Sequence, residues 1–399
     1  MTQEATAMRP WRFVVWFGVV SLLADFVYEG ARSVTGPLLA SLGASAAVVG
    51  AVTGAGEAAA LLLRLGSGPL ADRSGRFWGW AIAGYALTVA SVPPLGSTGV
   101  LWAACALVIA ERVGKAVRSP AKDTLLSHAA AATGLGKGFA VHEALDQVGA
   151  LLGPLTVAGM LALTGDDYGP TLAVLAVPGV AVLALLVWLR RQVPDPAAYE
   201  RAVALKSEKL HPGARLPRDF WVYASFTAAT MTGFATFGVL SFHLVARGLV
   251  PTAAVPLLYA AAMAVDALAA LATGWLYDRV GARVLIVLPV LSAAVPALAF
   301  TDSLAPVVLG ALVWGAATGV QESTLRAVVA ALVAPGRRAT AYGVFAAVVG
   351  VAAFAGGALT GVLYDISIPV LIAVVAAIQA AAVLLLAVTG FRSHRVRHR

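Results

Sequence analysis

The sequence predicts an all-α integral membrane protein of twelve transmembrane helices in two six-helix bundles. Three observations predict it. Hydrophobic residues make up 60% of the 399-residue chain and charged residues 12%, against roughly 25% charged in soluble domains, and mean hydropathy is +0.86. Apolar runs of roughly 20 residues, the length that crosses a bilayer as a helix, follow one another along almost the whole chain. A polar spelling, Gly-x-Leu-x-Asp-Arg-x-Gly, occurs twice: Gly68-Pro-Leu-Ala-Asp72-Arg73-Ser-Gly75-Arg76 and Gly274-Trp-Leu-Tyr-Asp278-Arg279-Val-Gly281-Ala-Arg283. Both copies read as a short turn between two apolar runs, and their separation fits a duplicated half-protein rather than a solenoid.

The apolar runs lie near 11–36, 45–66, 77–96, 98–118, 139–163 and 170–190, then near 220–245, 252–275, 284–301, 305–330, 341–362 and 368–390. No small-residue cleavage site ends the first, so it reads as a membrane helix and not as a signal peptide. Turn chemistry separates later runs, as at Pro93-Pro94-Leu-Gly96, Gly165-Asp-Asp-Tyr-Gly169-Pro170, Thr301-Asp302 and Ile368-Pro369. Gly and Ala crowd the spans, as helix contacts in lipid require. The stretch Gln192 to Asp219, with Pro194, Pro196, Pro212 and Pro217, is too polar for the bilayer. It is expected to be a linker with a short surface helix around Ala198 to Lys209. The expected division is therefore 1–191 for an N-terminal bundle, 192–219 for the linker, 220–391 for a C-terminal bundle and 392–399 for a basic tail.

Lys and Arg set the orientation. Connections after odd-numbered spans contain none apart from Arg247. Those after even-numbered spans carry Arg73, Arg76, Lys122, Lys137, Arg279, Arg283, Arg337 and Arg338, and the linker and tail add more. Both termini are expected on the cytoplasmic side. The net charge of +8 thus belongs to membrane topology, and no nucleic-acid partner is expected. Cys105 is the one cysteine, which excludes an intramolecular disulfide framework.

Ionisable residues inside the spans carry the functional signal: Asp25, Glu29, Arg32, Glu57, Arg64, Glu111, Arg112, Lys115, Arg118, Glu143, Asp146, Asp266, Glu322 and Arg326. A charge at the bilayer centre costs about 3 kcal/mol on insertion scales. Left in lipid, the whole set would exceed a net stability of roughly 5–15 kcal/mol. These groups are therefore expected to face one another or a water-filled cavity. Asp25, Glu29 and Arg32 share one face of the first span; Arg112, Lys115 and Arg118 share one on the fourth; Glu143 and Asp146 share one on the fifth. Glu111, beside Arg112, reads as a local pair, and Arg64 as a residue reaching the interface. The eight carboxylates outnumber the six cations, so some acids lack a full-time partner and can change protonation near neutral pH. Asp25 and Glu29 are the first candidates and Asp266 the third.

Two further runs narrow the reading: Arg112-Val-Gly114-Lys115-Ala-Val-Arg118-Ser-Pro120-Ala-Lys122-Asp123, and Gly136-Lys-Gly138-Phe-Ala-Val-His142-Glu143-Ala-Leu-Asp146, followed by Gly149-x-x-x-Gly153-Pro154. With the duplicated turn, they resemble the major facilitator superfamily, in a prokaryotic branch with this fourth-helix spelling. The resemblance implies a bacterial cytoplasmic-membrane carrier, acting as a monomer, whose two bundles expose a central cavity alternately to either side. It implies a gate motif at Gly68, Asp72, Arg73, Gly75 and Arg76, echoed at Gly274, Asp278, Arg279 and Gly281. In it, Asp72 contacts a basic residue and a helix N-terminus, and Gly68 and Gly75 allow a tight turn and close approach. Arg112 resembles the cavity arginine of the family, with Lys115 and Arg118 as further candidates. Gly149-x-x-x-Gly153-Pro154 is similar to a motif of exporters.

The expected function is secondary transport of a small solute, as a proton-coupled exporter (antiporter). The alternatives are a proton-coupled importer of an anionic or neutral metabolite and a non-transporting sensor on the same fold. Candidate substrate and proton residues are Asp25, Glu29, Arg32, Glu57, Arg112, Lys115, Arg118, His142, Glu143, Asp146, Asp266, Glu322 and Arg326. The cationic fourth span suits an anionic cargo, whereas neutralisation by Glu143 and Asp146 suits a neutral or cationic one. No cofactor, metal site or enzymatic activity is expected. Gly114-Lys115 and Gly136-Lys137 lack the Ser or Thr of a phosphate loop, and His142-x-x-x-Asp146 is one residue short of the acyltransferase spelling.

Overall fold

The computed structural model describes residues 8–201, 216–333 and 338–388. The first part of the chain forms α1 (Pro10–Ser41), α2 (Ala46–Leu62), α3 (Arg64–Ser74), α4 (Phe77–Ser97), α5 (Leu101–Thr133), α6 (Leu135–Thr164), α7 (Tyr168–Ala173), α8 (Ala176–Gln192) and α9 (Ala197–Arg201). Then come α10 (Arg218–Thr232), α11 (Phe237–Ala246), α12 (Ala254–Val280), a 3-10 turn (Gly281–Ile286), α13 (Val287–Ala299), α14 (Leu304–Leu332), α15 (Arg338–Ile366) and α16 (Ile368–Val388). Nine stretches among the described residues are long and apolar enough to cross a membrane. Helices α4 and α5 and the shorter apolar α13 occupy the places of the remaining three expected spans. Large apolar side chains such as Trp102, Leu163 and Leu271 stand exposed, as lipid-facing residues do.

Contacts group the chain into two compact units. The first is Met1–Arg32 with Leu63–Lys209, and the second is Ser33–Leu62 with Leu210–Arg399. In the first, Phe13, Phe17, Trp78, Tyr85, Leu125, Leu126 and Leu186 form a hydrophobic core. The start of the expected linker belongs to it. Val193 and Tyr199 are buried, and Tyr199 donates its hydroxyl to the Met8 carbonyl at 2.6 Å. Burial pushes that hydroxyl up to about 12, so it keeps the proton it donates. Of the expected surface helix the structure describes only the short α9, Ala197–Arg201; positions 202–215 and the tail 392–399 lie outside the described residues.

The second unit is built around Phe220, Tyr223, Phe226 and Phe345, with Tyr223 stacked on Phe345 at 5.4 Å. It contains α2 because α2 packs mainly on α15. Gly50 and Gly357 face each other so closely that a Cβ on either would strike the other's carbonyl oxygen. Asp365 of α15 then caps α2, accepting from the Ala46 and Ala47 amides at 3.2 and 2.9 Å. These amides are among the donors every helix start leaves open. Asp365→Ala should lower stability by about 1–2 kcal/mol, the usual loss for a helix cap, measurable as a lower midpoint of thermal unfolding in detergent.

Three expectations about elements need correction. The fourth span does not stop near residue 118: α5 runs on to Thr133 and carries Lys122 inside a helix. Pro120 removes one amide from α5, which leaves the Ala116 carbonyl unserved. The Ser67 hydroxyl donates to that carbonyl at 2.8 Å and makes the continuation tolerable. The gate motif is not a turn over most of its length. Helix α3 extends to Ser74, and only Gly75, at φ 62°, reverses the chain. Its echo behaves alike: α12 runs through Asp278 and Arg279 and ends at Gly281, φ 66°. Positive φ is accessible to glycine without a Cβ penalty. Finally, the seventh span is broken between α10 and α11, and the sixth between α7 and α8.

Candidate functional site

Among the described residues, the first unit brings together the buried charged groups Glu29, Glu111, Arg112 and Arg118 with buried His142, and close helix packing assembles them. Helix α6 lies against α1 through Gly149 and Gly153, where an added Cβ would collide with the carbonyls of Leu22 and Phe26. The same face of α6 carries His142 and Asp146, at i and i+4, so both meet α1. Ser21 of α1 lies 3.2 Å from His142 Nε2, and His142 Nδ1 lies 3.2 Å from Asp146 Oδ1. Asp25, one turn along α1 from Ser21, interacts electrostatically with Asp146 of α6 and with Lys115 and Lys122 of α5.

Tyr28 joins this acid cluster to α5. Its hydroxyl donates to Asp25 Oδ2 at 3.2 Å and accepts from Lys115 Nζ at 3.2 Å. Lys115, Arg118 and Arg112 stand 4.3, 5.4 and 5.8 Å from the centre of its ring, within range of cation–π attraction. Arg118 also donates to Thr88 at 2.8 Å and lies 4.7 Å from the Tyr85 ring of α4. Arg112 pairs with Glu111 at 3.1 Å, and Arg32 pairs with Glu29 at 3.5 Å. Positive and negative groups are therefore interleaved over three helices, with aromatic hydroxyls and rings between them.

Comparison with known proteins decides the family. Residues 17–300 and 250–399 match the Major Facilitator Superfamily. The chain belongs to that superfamily. It is 65% identical over 381 residues, 95% of this chain and 93% of the relative, to an uncharacterized protein of Mycobacterium tuberculosis. An uncharacterized MFS-type transporter of Methanocaldococcus jannaschii is 24% identical over 364 residues, covering 89% of each chain. Among solved structures, the nucleoside transporter NupG superposes with a TM-score of 0.70 at 15% identity, over 97% of this chain and 100% of that one. A POT family transporter in complex with a thioalcohol-conjugated peptide gives 0.74 at 12% identity, over 95% and 96%. These structures show the fold. The chain is a multi-pass membrane protein of a transporter family.

Within this MFS chain the sequence-predicted residues divide. Asp25, Glu29, Arg32, Arg112, Lys115, Arg118, His142 and Asp146 belong to the network of α1, α5 and α6. Glu143 does not: it is exposed. A helix turns about 100° per residue, so the residue after His142 leaves the buried face that Asp146, Gly149 and Gly153 continue. Glu57 lies on α2 and Asp266 is buried on α12, both in the second unit. Glu322 on α14 is exposed, and the side chains of Arg326 and Asp278 lie outside the described residues. In the gate motif, Asp72, Arg73 and Arg76 are exposed, and Gly75 and Arg76 line a cavity of about 450 Å³ with His128, Arg190 and Asp195. Close approach does not explain Gly68, where an added Cβ would sit an ordinary 3.8 Å from Pro120, nor Gly274, which faces open space. Arg279 instead stacks on Trp275 at 3.6 Å.

Sequence reasoning missed Ser21, Tyr28, Tyr85, Thr88 and Lys122. Tyr28 lies three residues from Asp25 on the same face, which was the available signal. Lys122 was hidden by its place after Pro120, where a helix end is the ordinary reading.

Proposed function

We propose that this MFS chain is a proton-coupled secondary transporter of a small solute, working as a monomer in the cytoplasmic membrane with both termini on the cytoplasmic side. The observation that carries this reading is the part-buried hydrogen bond of Tyr28 to Asp25, beside Asp146 and His142, in a unit that also holds ion pairs. Acids that share cations instead of each holding its own are groups able to load and release a proton. Export by antiport follows if cargo and proton compete for these acids, as the shared face of Asp25 and Glu29 suggests. Import follows if cargo and proton load together, and the three cations gathered about Tyr28 favour that second reading.

The test is transport into liposomes loaded with a pH-reporting dye, using small organic acids, amines, sugars and drug-like cations. A solute-dependent pH change is expected, with its sign giving the direction, and Asp25→Asn should remove it. Uptake of a solute without any pH change would sink proton coupling and leave the acids as structural groups.

A further inference from the structure

We propose that His142 is the residue through which Asp25 and Asp146 exchange protons with the cytoplasmic side, and that Ser21 is the positioning residue that lets His142 hold a proton. The proposal rests on the proton-coupled reading and orientation above and deepens them by naming the entry group and its support.

The order of groups along two helices places His142 first. The first and fifth spans run the same way through the bilayer, so α1 and α6 begin on one side, the cytoplasmic one in the orientation that Lys and Arg set. Ser21 of α1 meets His142 of α6. Asp25 and Asp146 each follow four residues later in their helices, about 6 Å deeper at the helical rise. A proton moving along the contact of α1 and α6 from that side therefore meets His142 before either acid.

The surroundings of His142 suit both of its charge states. The residue is 3% exposed and Ser21 2%, so the ring must find its partners inside the protein. Nδ1 faces Asp146 Oδ1 at 3.2 Å; a carboxylate only accepts, which assigns the proton of the neutral ring to Nδ1. Nε2 then accepts from the Ser21 hydroxyl at 3.2 Å. An incoming proton binds the Nε2 lone pair. The Ser21 hydroxyl rotates, its oxygen accepts the new N–H, and its own proton turns to the Asp146 carboxylate, which lies within its reach. The ring next passes its Nδ1 proton to Asp146 and is neutral again, with the Nε2 proton kept. One proton has entered at Nε2 and one has left at Nδ1; release runs the same steps backwards. Only a group that both donates and accepts can serve Nε2 in both states, and a hydroxyl is such a group.

The charged and titratable groups about this site are Asp146 of α6, Asp25 of α1 and Lys122 of α5, with Tyr85 of α4 in the field of both acids. Phe17 covers the ring with its centre 6.4 Å away, and Glu143 is exposed. The same order of atoms activates the nucleophile of serine hydrolases. Ser21, however, sits midway along α1, whose amides are spent in helix bonds, so no donors converge on an oxyanion.

The experiment uses the full chain, purified in detergent with 15N-labelled histidine, and follows the ring nitrogens by NMR as pH is lowered, the proton itself being the probe. The chain has 6 histidines, and the signal lost in His142→Gln is that of His142. At mildly alkaline pH its ring should be neutral with the proton on Nδ1, and it should take up a second proton reversibly as pH falls. Ser21→Ala removes the partner of Nε2, a loss greater for the charged ring than for the neutral one, so uptake should need a pH lower by roughly one unit. Ser21→Thr keeps the hydroxyl and should restore the wild-type behaviour. Ser21→Cys, whose thiol bonds weakly, should shift uptake in the direction of Ser21→Ala and serves if that variant does not fold. In the liposome assay with its solute panel, His142→Gln should slow the solute-dependent pH change by about a hundredfold, the scale of one positioned proton-transfer group. Proton uptake unchanged in Ser21→Ala and Ser21→Cys would overturn the role of Ser21. A wild-type His142 that keeps one charge state between about pH 5 and 8 would overturn its role and leave Asp25 and Asp146 to the proton-coupled reading. Solute uptake by wild-type liposomes without a pH change, while His142 takes up its proton, would overturn that reading itself.

Discussion

A valine at Gly149 is expected to abolish transport and to lower the stability of the folded protein. The glycine faces the backbone of α1: an added Cβ would collide with the Leu22 carbonyl oxygen, and would lie 2.9 Å from its carbon and 3.1 Å from the Asp25 Cβ. Helix backbone cannot rotate away as a side chain can, so α1 and α6 must separate. Overpacking of this kind costs about 1–3 kcal/mol. The loss of function should exceed what that figure implies, because the same contact sets the distance between Asp25 and the His142–Asp146 pair. Gly159→Val supplies the control on the same helix, since a Cβ there meets nothing within 4 Å. Liposome transport and thermal unfolding of both variants check the expectation. Wild-type transport by Gly149→Val would mean that the spacing of α1 and α6 does not govern the site.

Gly149 also shows what the sequence could disclose. Its spacing from Gly153, and the spacing of His142 from Asp146, place all four on one face of one helix, and that much is legible from helical period. The identity of the facing residues is not. Ser21 and Leu22 belong to a helix more than a hundred residues earlier, and nothing in either segment specifies their register. The spans themselves were legible because lipid imposes a length and a composition on each. Their interruptions were not. Between α10 and α11 there is no proline to announce a break, only Gly233 among threonines and aromatics. The continuation of α5 through Pro120 was misread for the converse reason: the hydroxyl that satisfies the abandoned carbonyl comes from Ser67, the residue just before the gate motif. Local signals placed the charges on their helices, and tertiary partners decided which of them meet.

The break between α10 and α11 leads to the second expectation, that Trp314→Ala will be among the most destabilising single changes in the second unit. Interrupting a helix inside a bilayer leaves carbonyls that only protein groups or enclosed water can satisfy. Here the Trp314 indole donates to the Ala235 carbonyl at 2.9 Å, and the Gln379 amide donates to the Thr230 carbonyl at 2.9 Å. Trp314 is 2% exposed and touches the rings of Phe237 at 5.2 Å, Tyr259 at 6.2 Å and Phe234 at 6.3 Å. Truncation to alanine removes both the ring and the donor, and should cost about 3–5 kcal/mol. Trp314→Phe keeps most of the apolar volume and removes the donor, so it should cost about 1–3 kcal/mol, the penalty of one unsatisfied buried acceptor. The pair of variants separates packing from hydrogen bonding, with thermal unfolding in detergent as the readout. If Trp314→Phe matches wild type while Trp314→Ala unfolds, the ring alone supports the break and the Ala235 carbonyl finds another donor. If both fall in the expected order, the indole is what allows the chain to leave helical geometry at this depth.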